Sequence, residues 1–548
     1  MSHEKPNRRA KSPARPLTIG GMRLYRLLLI ALAFRSLLPA QAIDRDLLEV
    51  SIPQLEQLYA AHRYSVTQVV QWYLARISRY DGIYGAVCAV DAPGALAAAA
   101  LEDAEAARGG GRLQRGPMWG VPIVIKANTS IKGLITSDGW KGFVIPGHEL
   151  VAPTDATVVA KLRAGGAVIL GQTNMPDFAA SDTTRSSAFG RTGNAYDVRF
   201  SPGGSSGGTV TAVSANFALL GTGTDTSNSI RMPSSTSAVV GVLPTRGLVS
   251  IAGIAPLDWL VDDTGPIARD VTDAAIALGV MAGEDPLDFR TKGSAAKAQA
   301  GPYTQYLKKD ALQGKRFGVP AFILNPKSPP QPETREIFMK AVEELRAAGA
   351  TVVIEDSILP ATFLDAVDKI KTFPYHLEGF EAFLKNFGST EYKSAAEYAK
   401  AVGSPLSPMI TMGPANSPAI EADPAAETNF FGPQRDALAT YNETLDRLQL
   451  DGFVYPAAQM PPPDETMPQD GRLSSGPHSQ TGWVNPIGVP AVVVVGGFYA
   501  SGLPFGLEIS ARQWKDGDLL GWAYAYEQAT HHRHPPVLVE QGLLPKAK

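Results

Sequence analysis

Residues 121–126 read VPIVIK, an apolar run that ends in a lysine. Its length and its branched residues are typical of a short buried strand. A second such run, AVILG at residues 167–171, follows a segment with helical spacing at residues 157–164. Further strand-like runs lie at residues 318–322, 351–353, 452–455 and 490–496. Short apolar strands that alternate with helices predict an α/β fold with a largely internal sheet.

Helical spacing dominates other parts of the chain. Residues 43–110 and residues 209–220 are predicted to be helical. Asp270 is the predicted N-cap of a helix at residues 271–281. Residues 300–450 contain aromatic clusters and a Pro-rich stretch, and we interpret them as a cap on one large domain. The aromatic run within this cap is typical either of core packing or of an apolar pocket.

The composition excludes several classes of protein. The chain has 548 residues, of which 44% are hydrophobic, so it can bury a sizeable core. Lys and Arg (50) nearly balance Asp and Glu (53), and the net charge of −3 excludes the basic surface of a dedicated nucleic-acid binder. A single cysteine, Cys88, excludes an intramolecular disulfide and a cysteine-based metal cluster.

The first 42 residues have the pattern of an export signal. Basic residues precede the apolar run LLLIALAF at residues 27–34, and Ala40-Gln41-Ala42 has the form of a signal-peptidase site. Met22 is an alternative start just upstream of the run. Because the run is too short to span a membrane, we expect cleavage after about Ala42, export to the periplasm or the medium, and no stable membrane insertion of the mature chain. An uncleaved anchor and a frayed helix are the alternatives.

Two Gly- and Ser-rich segments, SPGGSSGG at residues 201–208 and GTDTSNSIR at residues 223–231, are candidates for a functional site. Glycines allow close turns, and they let N–H groups converge on an anion. A phosphate-binding loop is one interpretation, but no Lys-Ser or Lys-Thr follows the glycines. A nucleophile elbow is a second, although no apolar strand precedes Gly203-x-Ser205-x-Gly207. A serine–lysine hydrolase is the third, with a lysine at a strand end and serines on later turns.

Several motifs in a fixed order favour the third interpretation. They are VPIVIKAN (121–128), GQTNMPDFA (171–179), SAFGRTGNAYD (187–197), SPGGSSGG (201–208), GTDTSNSIRMPS (223–234), VGVLPTRGLVS (240–250), NPIGVPAVVVVGGF (485–498), GLPFGLEI (502–509) and AYEQAT (525–530). Over about residues 45–535 the chain resembles the amidase signature family. The resemblance implies one α/β domain at residues 43–540, with a mixed, largely internal sheet flanked by helices. It also implies a variable substrate-pocket region at about 300–450, and neither a metal nor another cofactor.

The resemblance implies a catalytic triad of Lys126, Ser205 and Ser229. Ser229 is the implied nucleophile, Ser205 the implied bridging serine at a cis peptide bond, and Lys126 the implied base. A lysine ordinarily keeps its proton up to a pH of about 10.4, so it must lose water to act as a base near neutrality. The implied oxyanion hole consists of the backbone N–H groups of Thr226, Ser227, Asn228 and Ser229.

Three neighbouring residues have expected supporting roles, and two positions depart from the family pattern. Ser206 is expected to stabilise its turn by hydrogen bonds, and Asp225 and Arg231 to orient or support the nucleophile loop. Ser227-Asn228 stands where the family usually has two glycines, and Asn tolerates a positive φ better than Ser does. Ala127 stands where an acidic residue often follows the lysine.

The resemblance implies an amidase that hydrolyses a linear amide C–N bond through a serine acyl-enzyme and releases a carboxylic acid and ammonia or an amine. The expected partner is a small-molecule amide, no nucleic acid is expected, and assembly as a homodimer is left open. Two alternatives remain: an amidotransferase subunit that passes ammonia to a partner acting on charged tRNA, and a non-catalytic binding protein on the same scaffold. The sequence does not specify the amide.

Overall fold

The computed structural model describes residues 42–109, 116–324, 329–389, 391–411, 418–466 and 477–536. The predicted export signal lies outside these residues, apart from Ala42. The described residues from Ser51 onward form one compact unit. The residues up to Val50 form another, whose described part contains helix α1 at residues 42–47. In the described part of the chain, no helix combines the length and the apolar character needed to cross a membrane.

A large mixed sheet forms the centre of the second unit. The described strands are β1 (Val87–Val90), β2 (Val121–Lys126), β3 (Ala167–Thr173), β4 (Arg185–Ser186), β5 (Gly190–Arg191), β6 (Leu220–Asp225), β7 (Val240–Leu243), β8 (Asp263–Ala268), β9 (Arg316–Val319), β10 (Thr351–Ile354), β11 (Gly452–Pro456), β12 (Ala491–Phe498) and β13 (Pro504–Ala511). Eleven of these described strands form one sheet in the order β1-β3-β2-β6-β8-β7-β12-β13-β11-β9-β10, and β4 pairs with β5 separately. Strand β2 is parallel to β3 and β6, and β9 is parallel to β10 and β11, whereas the other neighbours in the sheet are antiparallel.

Helices surround this sheet. They are α2 (Ile52–Ala60), α3 (Val66–Tyr84), α4 (Ala92–Ala107), α5 (Thr157–Ala164), α6 (Gly207–Ser214), α7 (Arg231–Thr236), α8 (Val271–Met281), α9 (Ser294–Lys297), α10 (Pro332–Ala347), α11 (Ala361–Val367), α12 (His376–Phe387), α13 (Ala395–Val402), α14 (Pro408–Thr411), α15 (Gly432–Leu448), α16 (Val484–Ile487) and α17 (Asp516–Thr530). Strands β2, β3, β6 and β8 are buried along their whole length. A strand buried throughout needs cover on both faces, so the architecture confirms the predicted α/β fold with an internal sheet.

Several predicted elements have the predicted bounds. The VPIVIK run is β2, and α5 spans the predicted residues 157–164. Helix α8 begins after Asp270, whose carboxylate accepts a hydrogen bond from the N–H of Asp273. These elements carry strong local signals, either a short continuous apolar run or an N-cap before an apolar helix.

Two helical predictions are wrong in part. Residues 43–110 contain strand β1, which forms the edge of the sheet beside β3. The predicted helix at 209–220 ends at Ser214, and Leu220 already begins strand β6. Strand β6 reads LGTGTD, and its glycines remove the apolar alternation by which a strand is recognised. Strand β1 depends on its pairing with β3, which a local pattern does not reveal.

Residues 300–450 contribute both to the sheet and to its surroundings. Strands β9 and β10 belong to the main sheet, and helices α10 to α15 lie in the same region of the chain. The aromatic run is partly buried in the core and partly exposed. Phe380 and Phe383 are buried in a cluster with Phe143 and Phe178, whereas Phe373 is 47% exposed.

We expect the substitution Gly171→Ala to destabilise the sheet edge. A Cβ atom at residue 171 would lie 2.0 Å from the carbonyl oxygen of Ala89, so β1 must move away from β3. Such overpacking costs about 1–3 kcal/mol, which should lower the midpoint of urea denaturation. Gly82→Ala on α3 is the control, because a Cβ there meets no atom within 4 Å and removal of a helical glycine stabilises by about 0.5–1 kcal/mol. Equal midpoints for the two variants would contradict this account of the edge.

Candidate active site

Lys126, the last residue of β2, is wholly buried. Its Nζ atom lies 2.7 Å from Ser205 Oγ, 2.8 Å from Thr224 Oγ1 and 3.1 Å from Ser206 Oγ. A weaker contact of 3.5 Å joins it to the carbonyl oxygen of Thr224. Hydroxyl and carbonyl oxygens therefore surround the amine, and within the described residues it hydrogen-bonds to no carboxylate.

The other hydrogen bonds of these neighbours determine which of them can accept a hydrogen bond from the amine. Ser206 Oγ donates to the carbonyl oxygen of Thr224 at 3.2 Å and accepts from the Thr224 N–H at 3.3 Å. Since its own proton is committed to that carbonyl, Ser206 accepts from Lys126. Thr224 Oγ1 accepts from Asn128 Nδ2 at 3.1 Å. Sequence reasoning missed Thr224 and Asn128, although both lie within the quoted motifs.

Burial lowers the pKa of Lys126 to about 7, and the carboxylates of Asp138, Asp262 and Asp225 oppose this shift. Taking an ammonium group out of water disfavours its charged form. The neutral amine, which is the form that can accept a proton, therefore becomes the main form of Lys126 as the pH rises above about 7.

Asp138 is a buried carboxyl group that sequence reasoning missed. Neither of its carboxyl oxygens has a hydrogen-bond partner among the described residues. Burial raises its pKa well above the ordinary value, and Lys126 is the first of the charges that act on it. Its backbone N–H donates to the carbonyl oxygen of Ala127. Asp138 therefore brings an acidic group near Lys126 in a chain that has alanine directly after the lysine.

The two serine-bearing segments meet beside Lys126. The peptide bond between Gly204 and Ser205 is cis, as the resemblance implied. The N–H of Ser206 donates to the carbonyl oxygen of Ser229 at 3.2 Å. Ser205 is wholly buried, and Ser229 lines a cavity. Within the described residues, the Ser229 hydroxyl makes no hydrogen bond.

The loop before Ser229 presents free donors to the same cavity. The backbone N–H groups of Thr226, Ser227, Asn228 and Ser229 form no hydrogen bond to any described residue, and all four residues line the cavity. Neither Ser227 nor Asn228 has a positive φ. The replacement of two glycines by Ser-Asn therefore requires no left-handed backbone here.

Asp225 and Arg231 support this loop from the side of the sheet. The Asp225 carboxylate accepts from the N–H of Ile230 at 3.0 Å and from Arg231 Nε at 3.2 Å. Arg231 also donates to Glu508 Oε1 at 2.6 Å and to the carbonyl oxygens of Thr481 and Ser227. Burial opposes the charge of Arg231, but the two carboxylates overcome it and raise its pKa. Burial raises the pKa of Glu508 to about 7, which Arg231 opposes.

The cavity has a volume of about 500 Å³. Its described lining residues are Ala179, Ala180, Ser181, Asp182, Thr226, Ser227, Asn228, Ser229, Leu257, Asp258, Val261, Ile370, Thr372, Phe373, His376, Met409 and Pro486. None of these residues is Lys or Arg. In the part of the chain that the structure describes, no group of three His, Cys, Asp or Glu side chains is placed to hold a metal ion.

We expect Arg231→Met to destabilise the fold strongly, because it leaves Asp225 and Glu508 buried without their common partner. Removal of one member of a buried ion pair costs about 3–5 kcal/mol. The measurement is the midpoint of urea denaturation. Arg199→Met is the matched control, since it breaks the exposed pair with Asp197, and exposed pairs contribute little. A midpoint for Arg231→Met as high as that of the control would show that Arg231 does not hold this loop in place.

The chain is similar to known enzymes over most of its length. The sequence profile of the family described as Amidase matches residues 68–520. A curated relative from Symbiobacterium thermophilum, which is one of the subunits of glutamyl-tRNA(Gln) amidotransferase, is 32% identical over 508 residues, which cover 90% of this chain and 99% of that protein. The corresponding protein of Gloeobacter violaceus is 32% identical over 520 residues, which cover 90% and 99%.

Solved structures give the same result. The peptide amidase of Stenotrophomonas maltophilia superposes with a TM-score of 0.74 at 30% identity, covering 89% of this chain and 98% of that one. A crystal structure named PAM12A superposes with a TM-score of 0.76 at 30% identity over 89% and 98% of the two chains. The profile match, the identities and the common fold agree, and this chain therefore belongs to the amidase signature family.

Proposed function

We propose that this protein is an amidase that hydrolyses an amide C–N bond through an acyl-enzyme on Ser229. The observation that carries the proposal is the environment of the Lys126 amine. A neutral amine has two N–H donors and one lone pair. Ser206 and Thr224 Oγ1 already accept hydrogen bonds from the amine, which leaves the lone pair for Ser205, the contact of 2.7 Å. Lys126 is thus suited to take a proton from Ser205.

The proposed reaction moves one proton along two hydroxyls. Ser229 Oγ attacks the carbonyl carbon of the amide while its proton passes to Ser205, and the proton of Ser205 passes to Lys126. The tetrahedral intermediate then collapses, the C–N bond breaks, and the leaving nitrogen takes the proton back through Ser205. Water attacks the resulting ester by the same route, which releases the carboxylic acid and restores Ser229.

The loop from Thr226 to Ser229 supplies the proposed oxyanion hole. Its N–H groups have no acceptor among the described residues, so they are available to the negative oxygen that develops in the intermediate. One such preorganised donor contributes about 3–4 kcal/mol to stabilisation of the transition state. Asp225 and Arg231 would act as positioning residues, because they hold the two ends of this loop.

An amidotransferase component is the second candidate, and the curated relatives favour it, since several of them are subunits of glutamyl-tRNA(Gln) amidotransferase. A glutamine donor would bring an α-carboxylate, for which a basic side chain is the usual partner. The described residues of the cavity include no Lys or Arg, which supports hydrolysis of another amide. Ammonia release from glutamine, compared with release from aliphatic, aryl and peptide amides, discriminates between the two functions.

The proposal also covers where the enzyme acts and whether it works alone or with other chains. The signal pattern of residues 1–42 supports an exported, periplasmic or secreted enzyme, and a small-molecule amide is the proposed partner. The names of the curated relatives support a complex of several different chains instead. A homodimer is a third arrangement.

We expect Lys126→Ala, Ser205→Ala and Ser229→Ala each to lower amide turnover by about 10³-fold or more, since members of such a unit act together. A serine-directed phosphonate should label wild-type protein at Ser229, as located by mass spectrometry, and should leave Ser229→Ala unlabelled. Thermal melting of each variant checks that the fold is intact. Near wild-type turnover in folded Ser229→Ala would refute the acyl-enzyme, and absence of both labelling and turnover in the wild type would favour a non-catalytic binding protein.

The pH dependence should report the state of Lys126. Because the amine must be neutral to accept a proton, kcat/KM should rise as pH increases through the Lys126 pKa, near 7. Asp138→Asn removes a negative charge that stabilises the ammonium form, so the pKa should fall and the acidic limb should move to lower pH. Asp516→Asn is the control, because this buried carboxylate does not contribute to the Lys126 shift. An acidic limb that stays in place in Asp138→Asn would mean that Asp138 carries no charge beside the lysine.

A further inference from the structure

The charged residues of the cavity are few, and two of them neutralise each other. His376 Nε2 lies 3.0 Å from Asp258 Oδ2, and His376 Nδ1 lies 2.8 Å from the carbonyl oxygen of Met409. Both ring nitrogens face oxygen acceptors, an arrangement that favours the protonated ring. Burial lowers the pKa of His376, but the hydrogen bond to Asp258 outweighs it and raises the pKa overall. A protonated His376 offsets the charge of the Asp258 carboxylate.

Asp182 is the remaining charged residue among the described lining residues. It is half-buried, and its carboxylate makes no hydrogen bond to any described residue. Burial raises its pKa, and His478 opposes this effect. His478 thus favours the ionised carboxylate, and a hydrogen-bond donor that enters the cavity would stabilise that form further.

The loop that carries Asp182 is attached to the turn of Ser205. The Thr184 hydroxyl donates to the carbonyl oxygen of Gly203 at 2.8 Å, and the N–H of Thr183 donates to Ser181 Oγ at 3.2 Å. A Cβ atom at Gly204 would lie 2.8 Å from the carbonyl carbon of Asp182, so the two backbones are in direct contact. Asp182 therefore has a fixed position in the same cavity as Ser229.

The rest of the cavity wall that matters for a ligand is apolar. These are Leu257, Val261, Ile370, Phe373, Met409 and Pro486. A ligand that fits both features has an apolar body and one cationic group. A carboxylate on the ligand would instead be repelled by Asp182, with no described Lys or Arg to offset it.

We propose that Asp182 binds a cationic group of the substrate, so that the preferred substrates are amides with an apolar acyl part that carries an ammonium group. This inference rests on the proposed amide hydrolysis and adds the substrate class. In the complex, the ammonium donates charge-assisted hydrogen bonds to the Asp182 carboxylate. Asp182 is thus a specificity-determining residue that takes no part in bond cleavage.

The test uses ω-aminoalkanamides of increasing chain length, each paired with the isosteric alkanamide in which a methyl group replaces the ammonium group. We expect wild-type kcat/KM to favour the best ammonium member by about tenfold or more, because a hydrogen bond to a charged group has this order of strength. Asp182→Asn should reduce the ratio within the pair to about one, through a higher KM for the ammonium member. Asp182→Lys should favour the methyl member, and the exposed control Asp365→Asn should keep the wild-type ratio. Equal wild-type rates for the two members of every pair would overturn the inference.

A binding measurement separates this inference from the proposed hydrolysis. Calorimetry of Ser229→Ala with the same pairs should show the ammonium member binding about tenfold more tightly or better, and the double variant with Asp182→Asn should lose that difference. A protein that cleaves no amide but retains the difference would refute hydrolysis and keep the cation site. A protein that cleaves amides but binds both members equally would refute the cation site alone.

Discussion

A lysine amine buried among hydroxyl groups is the constraint on which the rest of this site depends. An ammonium ion at this position would lose its hydration without gaining an ion pair, because its hydrogen bonds go to hydroxyl and carbonyl oxygens. The fold resolves this by holding the amine where its neutral form is comparable in stability, and burial brings the pKa to about 7. Because burial destabilises the ammonium form, Lys126 can act as a base at neutral pH.

The surrounding elements serve to keep that environment dry and fixed. Lys126 lies at the end of β2, inside the sheet. Thr224 lies beside it on the neighbouring strand β6. The next residue, Asp225, pairs with Arg231, which in turn reaches Glu508 on β13. Because Arg231 joins the end of β6 to a strand from late in the chain, the loop at Ser229 is held by parts of the molecule that are far apart in sequence. This explains why the motifs extend over nearly the whole chain.

The sequence predicts the strands that have a clear local pattern and the site residues that lie within the quoted motifs. VPIVIK has the bounds of β2, and the motif matches alone associate Lys126 with Ser205, whose side chains the structure holds 2.7 Å apart. Asp138 could not be found in this way, because a carboxyl group in a turn gives no sign that it is buried beside a lysine. Strand β1 likewise depends on pairing with β3.

The resemblance assigns a substrate-pocket region to about 300–450, but it does not say which residues of that region reach Ser229. Ile370, Phe373, His376 and Met409 come from helices and turns that pack over the sheet, and only the tertiary arrangement brings them to Ser229. The ring of His376 contacts two oxygens from different segments, the Asp258 carboxylate and the Met409 carbonyl. No spacing in the sequence encodes that arrangement.

The two sides of the cavity have separate origins in the polypeptide. The reacting side comes from the sheet and the loop at Thr226–Ser229, whereas Ile370, Phe373 and Met409 come from the helical segments between β10 and β11. The helical side packs on the rest of the domain through a few contacts, such as those of His376 with Asp258 and of Phe380 with Phe143. Substitutions at those residues of this side that face the cavity therefore change its shape while Lys126, Ser205 and Ser229 stay the same.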